Sequence, residues 1–265
     1  GVVYAKDTPN FIANRIGVYG MMVTLDEAQK KKLSIEDVDA LTGTLIGRPK
    51  SATFRTADVV GLDTMCFVAN TAYEKCTNDP ERETFKIPDY LQKMVDNEWL
   101  GQKSKQGFYK KIDKGVIHSI DLDTLEYSPQ NKKRYAGIRL AKENVQVKDR
   151  LKALVNADDT AGQFVWEVTS KALLYSANRL GEIADDIVNI DRAMRWGFGW
   201  ELGPFEAWDA IGVVESVERM KKENKAIPQW VSEMLASGNT TFYSRMEGFN
   251  CYWDVNKKDY LLIPV

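Results

Sequence analysis

The side chain with the clearest chemical potential is a carboxamide in an apolar setting. On a wheel of 100° per residue, Phe11, Val18, Met21, Met22 and Leu25 form one stripe, and Asn14 lands inside it. An amide among hydrocarbon needs a partner or a ligand. Other chemistry is scarce. His118 is the sole histidine, which removes His-based triads, multi-His metal sites and most imidazole bases at once. It sits in the alternating run Val116 to Ile120, where a half-buried strand residue is expected. Cys66, Cys76 and Cys251 are odd in number, far apart and without a CxxC. Neither a disulfide framework nor a zinc site follows, and a reduced, cytosolic setting is the natural expectation. Gly197-Phe198-Gly199 with Gly203 has the look of a phosphate-binding fingerprint. It follows a helical pattern rather than a strand, is spaced GxGxxxG, and has no acidic residue closing a βαβ unit about 20 residues on. A tight helix-to-helix turn is the reading it supports.

Helices must position these groups. Thr8 before Pro9 reads as an N-cap and first helical position, opening a helix to about Lys31 that carries Asn14. Ser34-Ile35-Glu36-Asp37 resembles a capping box opening a second helix that stops near Gly47. A loop at Lys50 to Thr53 leads into a helix containing Asp58, and further helices are expected over Thr64 to Cys76 and Ile87 to Trp99. Gly115 to Asp121 and Thr124 to Tyr127 read as a short hairpin turning at Asp121-Leu122-Asp123. The polar stretch Pro129 to Lys148 reads as a connector. Beyond it, helices are expected at Ala161 to Arg179, Asp186 to Trp196, Phe205 to Lys222 and Pro228 to Ala236, with a closing hairpin from Gly248 to Ile263.

The second half repeats the first, element by element. Phe54-Arg55-Thr56-Ala57-Asp58-Val59-Val60-Gly61 recurs as Phe205-Glu206-Ala207-Trp208-Asp209-Ala210-Ile211-Gly212, and Ile87 to Met94 as Ile227 to Met234. Phe108-Tyr109 returns as Phe242-Tyr243, and the spacing of Gly115, Asp121 and Tyr127 as Gly248, Asp254 and Tyr260. The expected class is therefore mainly α: two homologous helical bundles with two-stranded tails, packed about a pseudo-twofold axis. The expected bounds are 1–128 and 158–265, with a connector at 129–157. Trp99 and Tyr109, or Trp230 and Phe242, would leave an apolar patch on either half alone.

With 44% hydrophobic and 28% charged residues, the chain can bury a sizeable core. A formal charge of -2 provides no basic field for nucleic acid or an anionic membrane. No apolar run approaches the roughly 18 to 20 residues of a membrane span.

Lys6-Asp7-Thr8-Pro9-Asn10-Phe11-Ile12-Ala13-Asn14-Arg15 resembles the KDxPGFxxNR segment that opens the C-terminal helical domain of 3-hydroxyacyl-CoA dehydrogenases. Gly61-Leu62-Asp63-Thr64 resembles their VGLDT segment, and Lys103 with Gly107-Phe108-Tyr109 their KxGxGFY signature. Gly197-Phe198-Gly199-Trp200 and Gly203-Pro204-Phe205 resemble the glycine-rich and GPF segments of the same domain. Asn10 replaces the usual Gly, and Ser51-Ala52-Thr53-Phe54 stands where the first copy would carry GPF. The resemblance implies NAD-dependent oxidation of an L-3-hydroxyacyl-CoA to the 3-ketoacyl-CoA in fatty-acid β-oxidation, in a protein of multifunctional type. It implies that NAD belongs to an upstream nicotinamide-binding domain with the catalytic His and Glu, which these 265 residues do not contain. Gly1 then falls near where that domain would end, as expected of a portion of a longer protein that is inactive alone and binds no cofactor.

The implied partners are the acyl-CoA substrate, the upstream domain and a fused enoyl-CoA hydratase domain. The family's NR asparagine lies beside the reacting oxygen, a role that falls on Asn14. Its counterpart in the second copy is Glu167, expected to be non-catalytic. Trp196 stands where multifunctional relatives carry an aromatic that reaches the substrate, and is the second substrate-binding candidate. The competing expectation is a non-catalytic association module that keeps the fold for packing only.

Overall fold

Two long helices lying against each other organise the computed structural model, which describes residues 1–264 and leaves only Val265, the last residue of the expected second unit, outside. The first, α1, spans Ala13–Lys30. It is followed by α2 (Ile35–Thr42), α3 (Phe54–Val60), α4 (Leu62–Lys75) and α5 (Asp89–Asp96). A sheet of three antiparallel strands comes next, β1 (Tyr109–Asp113), β2 (Val116–Ile120) and β3 (Tyr127–Pro129), in the order β1-β2-β3. Then come α6 (Ala136–Lys142), α7 (Val147–Val155) and the second long helix, α8 (Thr160–Arg179). The chain continues through α9 (Ile187–Gly197), α10 (Pro204–Ile211), α11 (Val213–Lys222) and α12 (Gln229–Ala236). A second antiparallel sheet closes it, with β4 (Tyr243–Met246), β5 (Phe249–Asp254) and β6 (Asp259–Leu262) in the order β4-β5-β6. The class is mainly α, as expected.

Local chemistry accounts for several boundaries. The Ser34 hydroxyl accepts the Asp37 N–H at 3.2 Å, so the expected cap is present, and α2 gives way to a single tight turn at Thr44–Ile46 before Gly47. Asp159 caps α8 through Gly162 N–H and Asp186 caps α9 through Asn189 N–H. Burial of the apolar faces of both halves produces one continuous hydrophobic cluster. At its centre the rings of Tyr19 on α1 and Tyr175 on α8 stack with centroids 3.7 Å apart.

Four expectations are corrected. The first helix does not begin at Pro9, because Asn10 and Phe11 take left-handed backbone angles (φ 66° and 50°) that delay the helix to Ala13. Each tail has three strands rather than two, since the residues after Phe108 and Phe242 add a leading strand. The stretch Phe205 to Lys222 is two helices, divided at Gly212 (φ 93°). The connector is not merely polar: α6 and α7 occupy it, with Leu151, Leu154 and Val155 buried against α8 and α10.

Candidate functional site

The start of α1 is built outward from a buried arginine. Arg15 is fully buried, and its Nε donates to the Tyr175 hydroxyl at 2.7 Å. Its second guanidinium nitrogen donates to Asp79 at 2.9 Å and to Glu182 at 2.8 Å. Tyr175 donates to the same Asp79 carboxylate at 2.6 Å, and Arg179 to Glu182 at 2.6 Å. Below them, Tyr19 donates to Glu81 at 2.6 Å; burial pushes the Tyr19 hydroxyl well up from its ordinary value, and the adjacent Glu81 carboxylate adds to the shift. The cluster ties the first helix of one half to α8 and the turn after it in the other. Its members were not singled out from the sequence. The signal available was a charged residue at position 15, one step from the asparagine, on a helix whose other faces are apolar.

Fixing Arg15 inward turns its neighbour outward. Asn14 is exposed and, among the described residues, makes no side-chain hydrogen bond. The expectation of an amide inside a buried stripe is therefore corrected: Val18, Met22 and Leu25 are buried, whereas Phe11 is 58% exposed. The buried side of α1 also takes Ile12, Arg15, Ile16 and Tyr19, because α1 is enclosed by α4, α8 and α9 rather than by one neighbour. Asn10 pins this end by donating from its amide to the Val68 carbonyl at 2.9 Å.

Trp196 is half exposed, at 51%, near the end of α9, where its ring lies over Gly1 and under the Arg192 guanidinium. The helix ends that carry the two candidates approach each other, since a Cβ built on Gly197 would lie 3.2 Å from that of Ala13. Gly17 is required here: a Cβ at that position would run into the Phe198 ring, which covers the helix one turn after Asn14. The glycine-rich stretch is thus a helix-to-helix turn seated on α1, as expected, and it offers no strand-to-helix phosphate cradle. Glu167, expected from the repeat to match Asn14, is held in ion pairs with Lys225 at 2.8 Å and Lys171 at 3.4 Å. His118 is half-buried in β2, and the three cysteines are buried and unpaired.

Two carboxylates in each half organise the recurring motifs, Asp58 and Asp191 being buried and Asp39 and Asp209 partly so. Asp39 accepts the N–H groups of Thr53, Phe54 and Arg55 and the Tyr109 hydroxyl. Asp58 accepts the N–H groups of Phe108 and Tyr109 at 2.8 and 2.9 Å. In the second half Asp191 accepts from Phe205, Glu206 and the Tyr243 hydroxyl, and Asp209 from Phe242 and Tyr243 at 2.8 and 2.9 Å. The same residue types thus make the same bonds twice. Lys103 binds both oxygens of Asp63 at 2.6 Å, which joins the Gly61 to Thr64 segment to the loop before Gly107.

Burial pushes Asp58 up to about 6, against the lowering effect of the Tyr109 and Phe108 amides, and Asp209 likewise to about 6. These values lie above the ordinary carboxylate value of about 4. The folded protein therefore keeps protons that the unfolded chain has released, and the stabilisation these groups supply is present below pH about 4 and lost as pH rises through about 6. In urea titrations the wild type is expected to lose stability relative to Asp58→Asn across that interval. Carboxyl carbon resonances titrating near the ordinary value, with no difference between the two proteins, would contradict the shift.

Comparison with known proteins gives the family likeness. Residues 11–111 match the model of the 3-hydroxyacyl-CoA dehydrogenase C-terminal domain. The chain is 52% identical over 254 residues, 96% of its length and 32% of the relative's, to a probable 3-hydroxyacyl-CoA dehydrogenase of Bacillus subtilis (strain 168). It is 27% identical over 209 residues, 77% of this chain and 28% of the relative, to a putative fatty acid oxidation complex trifunctional enzyme of Rickettsia felis. The chain spans about a third of the length of these curated relatives. Among solved structures, 3-hydroxybutyryl-CoA dehydrogenase from Escherichia coli K12 superposes with a TM-score of 0.52 at 16% identity. That match covers 89% of this chain and 62% of the other, and it is a likeness of fold.

Proposed function

We propose, for a chain whose residues 11–111 match the 3-hydroxyacyl-CoA dehydrogenase C-terminal domain and whose homologues are 3-hydroxyacyl-CoA dehydrogenases, that it forms the substrate-facing wall of such an enzyme. The reaction is oxidation of an L-3-hydroxyacyl-CoA to the 3-ketoacyl-CoA, with NAD taking the hydride, as a step of fatty-acid β-oxidation. The relative named as a trifunctional fatty acid oxidation enzyme supports that setting. The observation that carries the reading is Asn14: an exposed amide that makes no side-chain hydrogen bond among the described residues, with Phe11 and Trp196 exposed as well.

In this reading the Asn14 amide donates a hydrogen bond to the substrate oxygen at C3, which gains carbonyl character in one direction and negative charge in the other. Arg15 holds α1 so that the amide cannot turn inward. Phe11 and Trp196 exclude water along the acyl chain. The NAD site and the proton-accepting base belong to an upstream domain that packs on this face. The residues present do not fit NAD themselves, because the glycine-rich turn at Gly197 follows a helix rather than a strand and lays its Phe198 ring on Gly17 of α1.

We further read residues 1–128 and 158–265 as homologous units related by a pseudo-twofold axis through the α1 and α8 contact. The twice-repeated carboxylate bonds and the stacking of Tyr19 on Tyr175 support this. A fused hydratase domain and a cytoplasmic setting remain part of the proposal.

The test is calorimetry and an activity assay on these 265 residues alone. NADH is expected to bind no tighter than millimolar, and 3-hydroxyacyl-CoA with NAD to yield no NADH. Micromolar NADH binding would overturn the division of labour.

A further inference from the structure

Between α3, the turn at residues 101–105 and the first sheet lies a groove of about 580 Å³ whose lining includes Arg55, Lys105, Lys111, Tyr109 and Ile117. Its charge is one-sided. The neighbouring Lys103 is neutralised by Asp63, but Arg55, Lys105 and Lys111 make no ion pair among the described residues. The one carboxylate in the lining, Asp58, directs both oxygens to the Phe108 and Tyr109 amides. The Arg55 guanidinium lies 4.8 Å from the Tyr109 ring centroid. A guanidinium seated over a ring can stack a planar group on its outer side and bind phosphate oxygens with its edge.

The second half offers an internal comparison. The residue held as Arg55 is held, with its N–H on the aspartate that also takes the preceding Phe N–H, is Glu206. Its carboxylate accepts the Gly203 N–H at 2.8 Å and pairs with Arg195 at 3.1 Å. The acidic residue is therefore held by an ion pair, which Arg55 lacks among the described residues. The turn carrying Lys105 also has no second-half equivalent, because only Thr240 and Thr241 separate Asn239 from Phe242.

We propose that this groove binds a polyphosphorylated organic anion, with three or more phosphate charges within about the volume of one nucleotide. The phosphates lie between Lys105 and Lys111, and a planar base stacks on Arg55. A volume in the usual range of about 300 to 1,000 Å³ for ligand clefts accommodates such a molecule. Two sources share this chemistry: free polyphosphate, and the phosphorylated nucleotide end of coenzyme A. The second rests on the dehydrogenase reading above, and the first does not.

The experiment is calorimetry on this chain with inorganic tripolyphosphate, coenzyme A and NADH. Tripolyphosphate and coenzyme A are expected to bind at one site, with affinity falling as salt screens the three cations. NADH, with only the two charges of its pyrophosphate, is expected to bind at least about tenfold more weakly, in keeping with a charge-set affinity. Arg55→Glu, which installs the second-half residue, should weaken both ligands at least about tenfold. Lys105→Asn with Lys111→Gln should do the same, Asn tolerating the left-handed backbone at position 105 (φ 61°). An unchanged melting temperature in these exposed-site variants separates lost binding from lost fold. Coenzyme A binding more tightly than tripolyphosphate supports a stacked base and the coenzyme as source; equal affinities support the phosphate positions and overturn the stacking of a base on Arg55. No saturable binding of either ligand, or binding that the variants leave unchanged, overturns it.

Discussion

Asn14→Ala in the dehydrogenase proposed above lowers turnover by about 10² to 10³ with little change in stability. The rate loss is that of one hydrogen-bond donor removed from an oxygen on which charge develops. Stability is spared because the side chain is exposed and makes no hydrogen bond among the described residues, and such surface substitutions usually stay within about 0.5 kcal/mol. Steady-state kinetics should place most of the loss in kcat, with substrate binding less affected, since the interaction strengthens in the transition state. Glu167→Ala is the control. Its carboxylate, held by Lys225 and Lys171, is partly exposed, so its loss should cost no more than about 1 kcal/mol of stability and leave turnover nearly unchanged. Comparable losses of turnover at both positions would contradict the role given to Asn14.

Arg15→Ala is expected to be the most destabilising single change at this end of the molecule, by about 3 to 5 kcal/mol. The substitution removes the guanidinium that satisfies Asp79 and Glu182. The Asp79 side chain is fully buried, and Arg179 reaches it only at 3.5 Å. Against a total stability of roughly 5 to 15 kcal/mol, such a loss should lower the urea midpoint sharply. Arg15→Lys should rescue little, because a single ammonium cannot reproduce the fork that binds Tyr175, Asp79 and Glu182 together. Combining Arg15→Met with Asp79→Asn should cost less than the sum of the two, since no uncompensated charge is then left in the core. A loss below about 1 kcal/mol for Arg15→Ala would show that water reaches the cluster.

Both predictions concern adjacent residues that the sequence treats alike and the fold separates. Much was determined by local chemistry. Ser34 and Asp37 announce the start of α2, the alternation around His118 announces β2, and Asp186 stands at the start of α9. The recurring Phe and Asp at matched spacing marked the residues that make the twice-seen carboxylate bonds. These signals are legible because caps, alternation and recurring side chains act over a few residues. Position 14 could not be oriented that way. The wheel assumes one apolar face, but α1 is enclosed by α4, α8 and α9, so burial does not follow a single stripe.

The left-handed turn at Asn10 and Phe11 likewise departs from what Thr8 and Pro9 favour locally, with Asn10 anchored to Val68, 58 residues away. Only the tertiary structure decided that Arg15 points inward. Its partners lie 64, 160 and 167 residues along the chain, and a guanidinium is stable in the core only once all of them have converged on it.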